Sequence, residues 1–554
     1  MRERDALASQ THAWLQDWQD IADLMLPGQS DILSWRQPGT TRTRQLYDST
    51  AMWALDTFVA HLGAWITNWQ MLWFGLRMRS LRDNQEAARW LDDVSQILYE
   101  EMVSDEAPVT TAVHEAYRQY AGFGTGALYL DEQQMAERLT PGFRGYEAHS
   151  LLIGTYYTAE SATGRVDTLY EDRELSPHQA AEIWGKEALH TNVQDALSDD
   201  GAARRFEPGK YLHAVYPRRD RDRGQRDAKN MPWASCWVDV THKHLVHESG
   251  YRWFPYLVFR WEKISQHTPW GFGRGHIVLP ESKTLQLIDK DALRALPMTI
   301  LPPGWLVGES RETIGRVSLL PGTLNPLAKG GSFVPYASGS RMDLAQLQIE
   351  ERRSRILRAF YIDQLQFLPE TTQRTHRTLG ELMLRRRQMA RIMGPAFFRL
   401  LAEFLNPFID VSFSLMLHAG AFPQPPDVII EAALANQGHI NVEYLGPLAR
   451  AQKEDDVEAI TEGVEFVLQL AERTGDRAIL QNVALDDTVA RFLRARGFPE
   501  PLITDRRFME AVRAQAQVQA EQQAQLDTGS QVAKAAGDAA PALDAIREFT
   551  GAQA

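Results

Sequence analysis

Apolar residues recur every three to four positions at the start of the chain, and that spacing predicts helix. Trp14, Leu15, Trp18, Ile21, Ala22 and Met25 form one stripe, which Pro27 and Gly28 end. A polar, arginine-bearing loop runs to about Gln45. Asp48, Ser49 and Thr50 then offer three capping side chains for a second helix, whose stripe is Leu55, Phe58, Val59, Leu62, Trp65, Ile66 and Trp69. Residues 84–102 and 108–120 read as two further amphipathic helices.

The texture changes after Gly122. From there to Trp261, short apolar runs between turns read as strands, among them 126–130, 210–216, 233–240 and 256–259. One helical insert, 176–187, has Ser176 as its cap and Pro177 in its first turn. Residues 218–229, RRDRDRGQRDAK, read as an exposed turn-like loop.

Helix resumes over 276–296 and is expected to stop at Pro297. Residues 298–341 hold 7 Gly and 5 Pro between short apolar pieces, the composition of a small β-rich module. Helical patterns return over 342–361 and 375–418, separated by a loop containing Pro369, with Gly394-Pro395 placed to kink the second. After the turn at 422–426 come a short strand, 441–444, and helices near 452–473, 484–496 and 505–525. Ala and Gln fill 22 of the last 45 positions, so residues 526–554 have few apolar anchors and are expected to be mobile. No internal repeat is visible.

At 554 residues the chain exceeds what one core holds, since cores stop growing at roughly 250–300 residues, so two to four units are expected. The only cysteine is Cys236, which excludes an intrachain disulfide and a zinc site built on paired cysteines, and suits a reducing cytosol. The opening MRERDALASQTHAW lacks the apolar core of a signal peptide. Asp56, His61, Asn68 and Gln70 interrupt the apolar stretch 51–76, which reads as an amphipathic core helix and not a membrane span.

Net charge is −13, which argues against tight DNA binding over the whole surface. The charge is unevenly placed. Residues 341–420 carry 12 Arg, no Lys and 8 Asp or Glu, a net of +4 that leaves −17 on the other 474. Local contact with a polyanion fits this pattern, and so does a solvated helix face neutralised by acidic neighbours.

Catalytic signals are weak. Gly122-Phe-Gly-Thr-Gly126 has the glycines of a phosphate loop but not its Gly-Lys-Ser/Thr ending at a helix start, so it reads as a helix-to-strand turn. His242 and His244 share a face if they lie in one strand, with His247 nearby, yet no cysteine or second histidine cluster accompanies them in sequence. No Gly-x-Ser-x-Gly elbow and no His-Glu-x-x-His motif occurs. Asp455-Asp456 and Asp486-Asp487 stand at predicted helix starts, where they suit the dipole. The expectation is a non-enzyme with no catalytic residue, metal or cofactor.

Several stretches, taken in order, resemble the head-to-tail connecting (portal) proteins of short-tailed, podovirus-type bacteriophages. They are the Trp-rich helix ending in Leu26-Pro27, then Leu46-Tyr-Asp-Ser-Thr50, and Trp73-Phe-Gly-Leu76. Phe123-Gly-Thr-Gly-Ala-Leu-Tyr129, Trp270-Gly-Phe-Gly-Arg-Gly275 before a helix, and Tyr444-Leu-Gly-Pro-Leu-Ala-Arg-Ala-Gln-Lys453 follow. The match extends over about 10–510, leaving out the C-terminal tail and the loop at 218–229. The resemblance implies a mainly helical α+β fold, assembled as a twelve-subunit ring at one capsid vertex. On this chain the wing would be 1–275, stem helix 1 residues 276–297, the clip 298–341 and stem helix 2 residues 342–362. Residues 363–455 would hold the tunnel loop, the long helix and the return to the wing, and 456–525 the crown. A β-rich module inserted between two helices is independently what a clip on a helical hairpin should look like.

The same resemblance implies the function: a channel for packaging and ejecting DNA, and a platform for the terminase and then the tail. Implied partners are further copies of the chain, double-stranded DNA held weakly and without sequence preference, the terminase large subunit, tail adaptor or nozzle proteins, and major capsid and scaffolding proteins, with no membrane. The implied location is the head–tail junction of the virion, after assembly in the host cytoplasm. Sparse arginine rings on an acidic wall would centre a sliding duplex, because every phosphate neutralised adds salt-dependent affinity. Candidates are Arg352, Arg353, Arg355 and Arg358 in the second stem helix, and Arg374 and Arg377 after it. Arg385–Arg387 suit a neighbouring subunit equally well. The tunnel loop would be 363–374, with Leu365, Phe367 and Leu368 as apolar tips, or else a buried connector whose apolar residues join the core. Two alternatives stand beside this reading: a packaging nuclease, which needs clustered carboxylates and Mg²⁺, and a tail adaptor ring.

Overall fold

The computed structural model describes residues 1–365, 397–435 and 440–474, apart from 34–39, 41, 44–45, 82–83, 105–107, 134–141, 199–205, 223, 226, 266–267, 308–317, 327–331, 336–341 and 446, together with the single positions 488, 489, 492, 493, 512 and 515. The fold class is α+β. The chain forms two units, one of Met1–Leu76, Asp93–Gln424 and Val442–Gln452, the other of Arg77–Asp92, Pro425–Asn441 and Lys453–Ala554.

In the first unit, α1 (Arg2–Met25) buries the predicted stripe: Trp18, Ile21, Ala22 and Met25 are all withdrawn from solvent. Gln19 on the same helix is buried too. Its amide donates to the Ser30 carbonyl at 2.7 Å, and its carbonyl accepts from the Leu33 amide at 2.8 Å. The chain after α1 is thereby tied down by a side chain that the apolar pattern does not single out. Helix α2 (Thr50–Ile66) buries Leu55, Phe58, Val59 and Leu62 and ends one turn before Trp69, short of the predicted stripe. Strand β1 (Phe74–Met78) and helix α3 (Gln85–Val103) follow.

Helix α4 (Val109–Phe123) runs into β2 (Thr125–Glu132) through Gly124, whose φ of 79° is the left-handed cap that glycine favours. Space demands glycine there as well: a Cβ on Gly124 would lie 2.2 Å from the Gly273 nitrogen. The Gly122–Gly126 run is thus a helix-to-strand turn pressed against a second glycine-rich turn. Strand β2 is the centre of an antiparallel three-stranded sheet between β3 (Tyr146–Ser150) and β9 (Tyr256–Arg260).

A second sheet is an antiparallel meander of β4 (Tyr156–Glu160), β5 (Val166–Leu175), β6 (Gly209–Pro217), β7 (Trp233–Asp239) and β8 (His244–Tyr251). Between β5 and β6 lie α5 (Pro177–Trp184) and α6 (Thr191–Ala196). Ser176 and Gln179 close a capping box at the start of α5, as the sequence implies. The charged loop joins β6 to β7. Its first arginine, Arg218, is anchored by Glu248 and the Ser249 carbonyl, each at 3.0 Å.

Helix α7 (Arg274–Ile300) does not stop at Pro297. A proline removes only its own amide hydrogen bond, and the Pro297 carbonyl still accepts from Leu301 at 2.9 Å, so one further turn forms. The chain continues through β10 (Gly304–Val307), β11 (Leu324–Pro326) and β12 (Ser332–Pro335) into α8 (Met342–Ala359) and the short α9 (Ile362–Leu365). Helix α10 (Phe397–His418) contains a π-helical turn at Leu401–Leu405. By length and composition α10 could cross a membrane, but the Phe404 ring lies 4.3 Å from that of Phe259 and meets Tyr117 edge-on at 5.9 Å, in the protein core. The predicted kink at Gly394-Pro395 lies outside the described residues. Strand β13 (Ile440–Tyr444) completes the predicted short strand.

The second unit contains α11 (Asp427–Leu434). The last described helix is α12 (Pro447–Thr474), five residues earlier in its start than the pattern suggests. The helices expected at 484–496 and 505–525 fall almost wholly outside the described residues, as does the tail.

Candidate functional site

Helices α7 and α8 pair as the two arms of a hairpin that carries a small sheet at its far end. In that sheet β10 is central, parallel to β11 and antiparallel to β12, with Gly304 opposite both Leu324 and Pro335. The described strands of this glycine- and proline-rich stretch are short, and prolines donate nothing to a ladder.

The near half of the hairpin is fastened by charge. Arg352 pairs with Glu281 across the two arms, and Arg355 reaches Glu281 at 3.3 Å while also pairing with Glu351. The hydrogen bond from Arg352 holds the Glu281 carboxyl below its ordinary range. Arg353 turns to the other side, 2.7 Å from Asp48 ahead of α2 and 3.6 Å from Asp289 on α7. Burial, with the Asp48 charge adding to it, raises Asp289. Gln286 of α7 accepts from the amides of Tyr47 and Asp48 and donates to the Asp48 carbonyl at 2.6 Å. Lys283 pairs with Asp20 of α1. Three of the four α8 arginines therefore spend their charge within the chain. Arg358 is exposed and has no ion pair among the described residues.

The far half of the hairpin is bare. Leu287, Leu293, Leu296, Met298 and Ile300 on α7 are exposed, as are Leu344 and Leu347 on α8, with Ile300 65% accessible. At about 100° per residue, Leu287 and Met298 share one stripe while Leu293, Leu296 and Ile300 lie roughly 160° round the helix. Arg374, Arg377, Phe367, Leu368 and Arg385–Arg387 lie outside the described residues. Leu365 ends α9, and its side chain is likewise not described.

The histidines of 242–247 do not share a strand face. His242 lies in the turn before β8, where its Nδ1 meets the Asp239 carboxylate at 2.7 Å and its ring stacks on His190, centroids 4.4 Å apart. His244 is the first residue of β8, with Nε2 3.1 Å from the Ala188 carbonyl. Each ring is occupied by a local partner. The turn arises because Asp239 also accepts the Thr241 and His242 amides, folding the chain back before the strand starts.

One polar chain was not visible in the sequence. Tyr256 donates to Glu171 at 2.7 Å, His213 Nδ1 lies 2.6 Å from the Tyr256 hydroxyl, and His213 Nε2 lies 2.9 Å from Ser235 Oγ. The order serine–histidine–tyrosine–glutamate mimics a nucleophile relay, but Ser235 and His213 are buried and Trp237 stacks flat on the imidazole at 4.1 Å. Burial pushes His213 down to about 3, so it stays neutral and the chain works as a strut between strands. These residues come from four strands far apart in sequence, and no local spacing marks them.

Comparison with known proteins gives the family. The family described as bacteriophage head to tail connecting protein matches residues 1–503. The probable portal protein of Bordetella phage BPP-1 is 28% identical over 458 residues, covering 81% of this chain and 78% of that one. The portal protein of Salmonella phage epsilon15 is 25% identical over 548 residues, covering 97% and 94%. Among solved structures, the virion of a native gene transfer agent particle aligns with 82% of this chain and 95% of that chain, at 13% identity and a TM-score of 0.30. The protein is thus of a class that serves phage particle structure. The chain belongs to the bacteriophage head to tail connecting protein family.

Proposed function

We propose that this chain is the portal subunit of a bacteriophage, a ring protein at the head–tail junction through which DNA enters and leaves the capsid. The observation that carries the reading is the family match across residues 1–503, joined by two relatives named portal proteins that align along most of their own length.

The hairpin supports assembly into a ring. Exposed leucines on two nearly opposite faces of one helix cannot be covered by a single neighbour, and apolar surface of this kind favours burial at about 25 cal/mol per Å². Two neighbours, one on each side, meet through different surfaces, and such head-to-tail contacts close into rings when the rotation permits. On this reading α7 and α8 are the stem, residues 298–341 the clip, the sheets and helices before Gly275 the wing, and 456–525 the crown. Twelve copies, the terminase large subunit, tail adaptors, and capsid and scaffolding proteins complete the proposed set of partners. The role is structural, with assembly in the host cytoplasm.

The channel chemistry follows from charge. A subunit of −13 repels DNA over most of its surface, so a duplex slides and does not stick. Of the proposed contacts in α8, Arg358 is the one without an ion pair among the described residues. Arg352, Arg353 and Arg355 keep donors directed at carboxylates and serve first to brace the hairpin. The loop 363–374, with Arg374 and Arg377, is proposed to border the channel.

Electron microscopy of the purified protein tests the proposal: closed rings with a central hole are expected. Monodisperse monomers, or a solid particle without a channel, would remove it.

A further inference from the structure

Tyr361 has a φ of 58°, the left-handed region where a helix end normally places glycine. It stands in the two-residue turn, Phe360-Tyr361, between α8 and α9, and is the position in that turn with the left-handed φ, so it sets the direction in which the chain leaves the helix. Its flanks are fixed in the core: Phe360 and Ile362 are buried, and Phe360 meets Phe58 of α2 at 6.0 Å. A tyrosine in this conformation needs compensation from its side chain.

That compensation is Arg274, the first residue of α7. Its guanidinium lies over the Tyr361 ring at 4.3 Å and over the Trp261 ring at 5.1 Å, and it donates to the Tyr361 hydroxyl. Trp261 is itself held, its amide donating to the Gly124 carbonyl at 2.9 Å and its ring 5.2 Å from Tyr120 and 5.7 Å from Phe58. Unlike Arg352, Arg353 and Arg355, Arg274 makes no ion pair among the described residues. Its cation is used on aromatic faces, where desolvation strengthens the attraction.

We propose that Arg274 is a positioning residue. Clamped between Trp261 and Tyr361, it holds Tyr361 left-handed and so fixes the path from the stem helix toward the loop 363–374. This rests on the portal reading only for what that loop does. The clamp links the N-terminus of one hairpin arm to the C-terminus of the other, so bending the hairpin at its base must act on the turn at Tyr361.

The test uses full-length assembled rings and two separate readouts. One is amide exchange over 360–365, with the buried part of α7 around Val278 and Leu285 as internal control. The other is DNA packaged per ring in a complete assembly reaction. Arg274→Met is expected to quicken exchange at 360–365 about tenfold while the control is unmoved. Arg274→Lys, which keeps a cation over the rings, should recover part of the protection. Tyr361→Gly, which removes clamp and backbone strain together, should stay near wild type. If Arg274→Met leaves exchange unchanged, or if Tyr361→Gly quickens it equally, the positioning role is overturned. If exchange responds as expected while DNA per ring does not change, the clamp stands and the assignment of 363–374 to the channel is overturned instead. Should Arg274→Met fail to assemble, Arg274→Lys against Tyr361→Gly decides the same point.

Discussion

Arg353 reaches across 305 residues of chain to place its guanidinium 2.7 Å from the carboxylate of Asp48. Asp48 is almost fully buried and also accepts the Thr50 amide at 2.8 Å, so one carboxylate both holds the chain entering α2 and anchors the hairpin. The Arg353 side chain is about half exposed, which reduces the worth of the pair. Asp48→Ala is expected to cost about 2 kcal/mol, counting the lost bond to the Thr50 amide and the charged hydrogen bond. Thermal unfolding measures it, and a midpoint equal to wild type would show that water replaces both roles.

Assembly is expected to depend on the bare half of the hairpin. Leu287→Ser with Leu293→Ser removes apolar surface from both exposed faces of α7 without touching a buried position. Mass photometry should then show rings giving way to smaller species while helical content and thermal midpoint of the subunit are kept. Rings of normal size and stability would mean that neighbours meet elsewhere.

Arg358 and Arg352 should part company when each is changed to glutamine. Arg358→Gln leaves every described ion pair intact and should lower DNA packaging per ring, with the deficit most visible at low salt and shrinking as salt screens the wild-type contact. Arg352→Gln breaks the bond to Glu281 and should register as lost stability of the subunit. The Glu281 contribution has a defined sign: its folded pKa lies below the unfolded 4.5, so the stabilisation is present above that pH and fades as pH falls below it. Equal packaging by the two variants would end the distinction between them.

His213 supplies a second pH signature. Its folded pKa of about 3 lies below the unfolded 6.5, so the unfolded chain takes up the proton first. Stability is therefore whole above pH 6.5 and declines as pH falls toward 3, by at most about 1.4 kcal/mol per pH unit for one proton. His213→Gln should start from a lower thermal midpoint at pH 7.5 and lose less between pH 6.5 and 4. Parallel pH profiles for the two proteins would show that the buried imidazole is not the group responsible.

Much of the fold is legible in the order of residues. Periodicity alone locates α1, α2, the change to strands after Gly122, and the glycine- and proline-rich module between two helices, because burying one face leaves its period in the sequence. The connector family is legible too: stretches in order along about 10–510 resemble it, and the family match runs over residues 1–503.

What only the tertiary structure decided is which charges are free. Arg352, Arg353, Arg355 and Arg358 look alike in a basic run, yet three of them meet Glu281, Glu351, Asp48 and Asp289, residues from two helices and a loop. Charge pairing acts through space over a few ångströms, and the sequence separation of the partners ranges from 4 to 305. The same is true of Tyr361, whose left-handed turn has no sequence signal because the residue that compensates it, Arg274, stands 87 residues earlier, at the start of the other helix. Local chemistry writes elements into a sequence. The pairing of distant side chains appears only when the elements are packed.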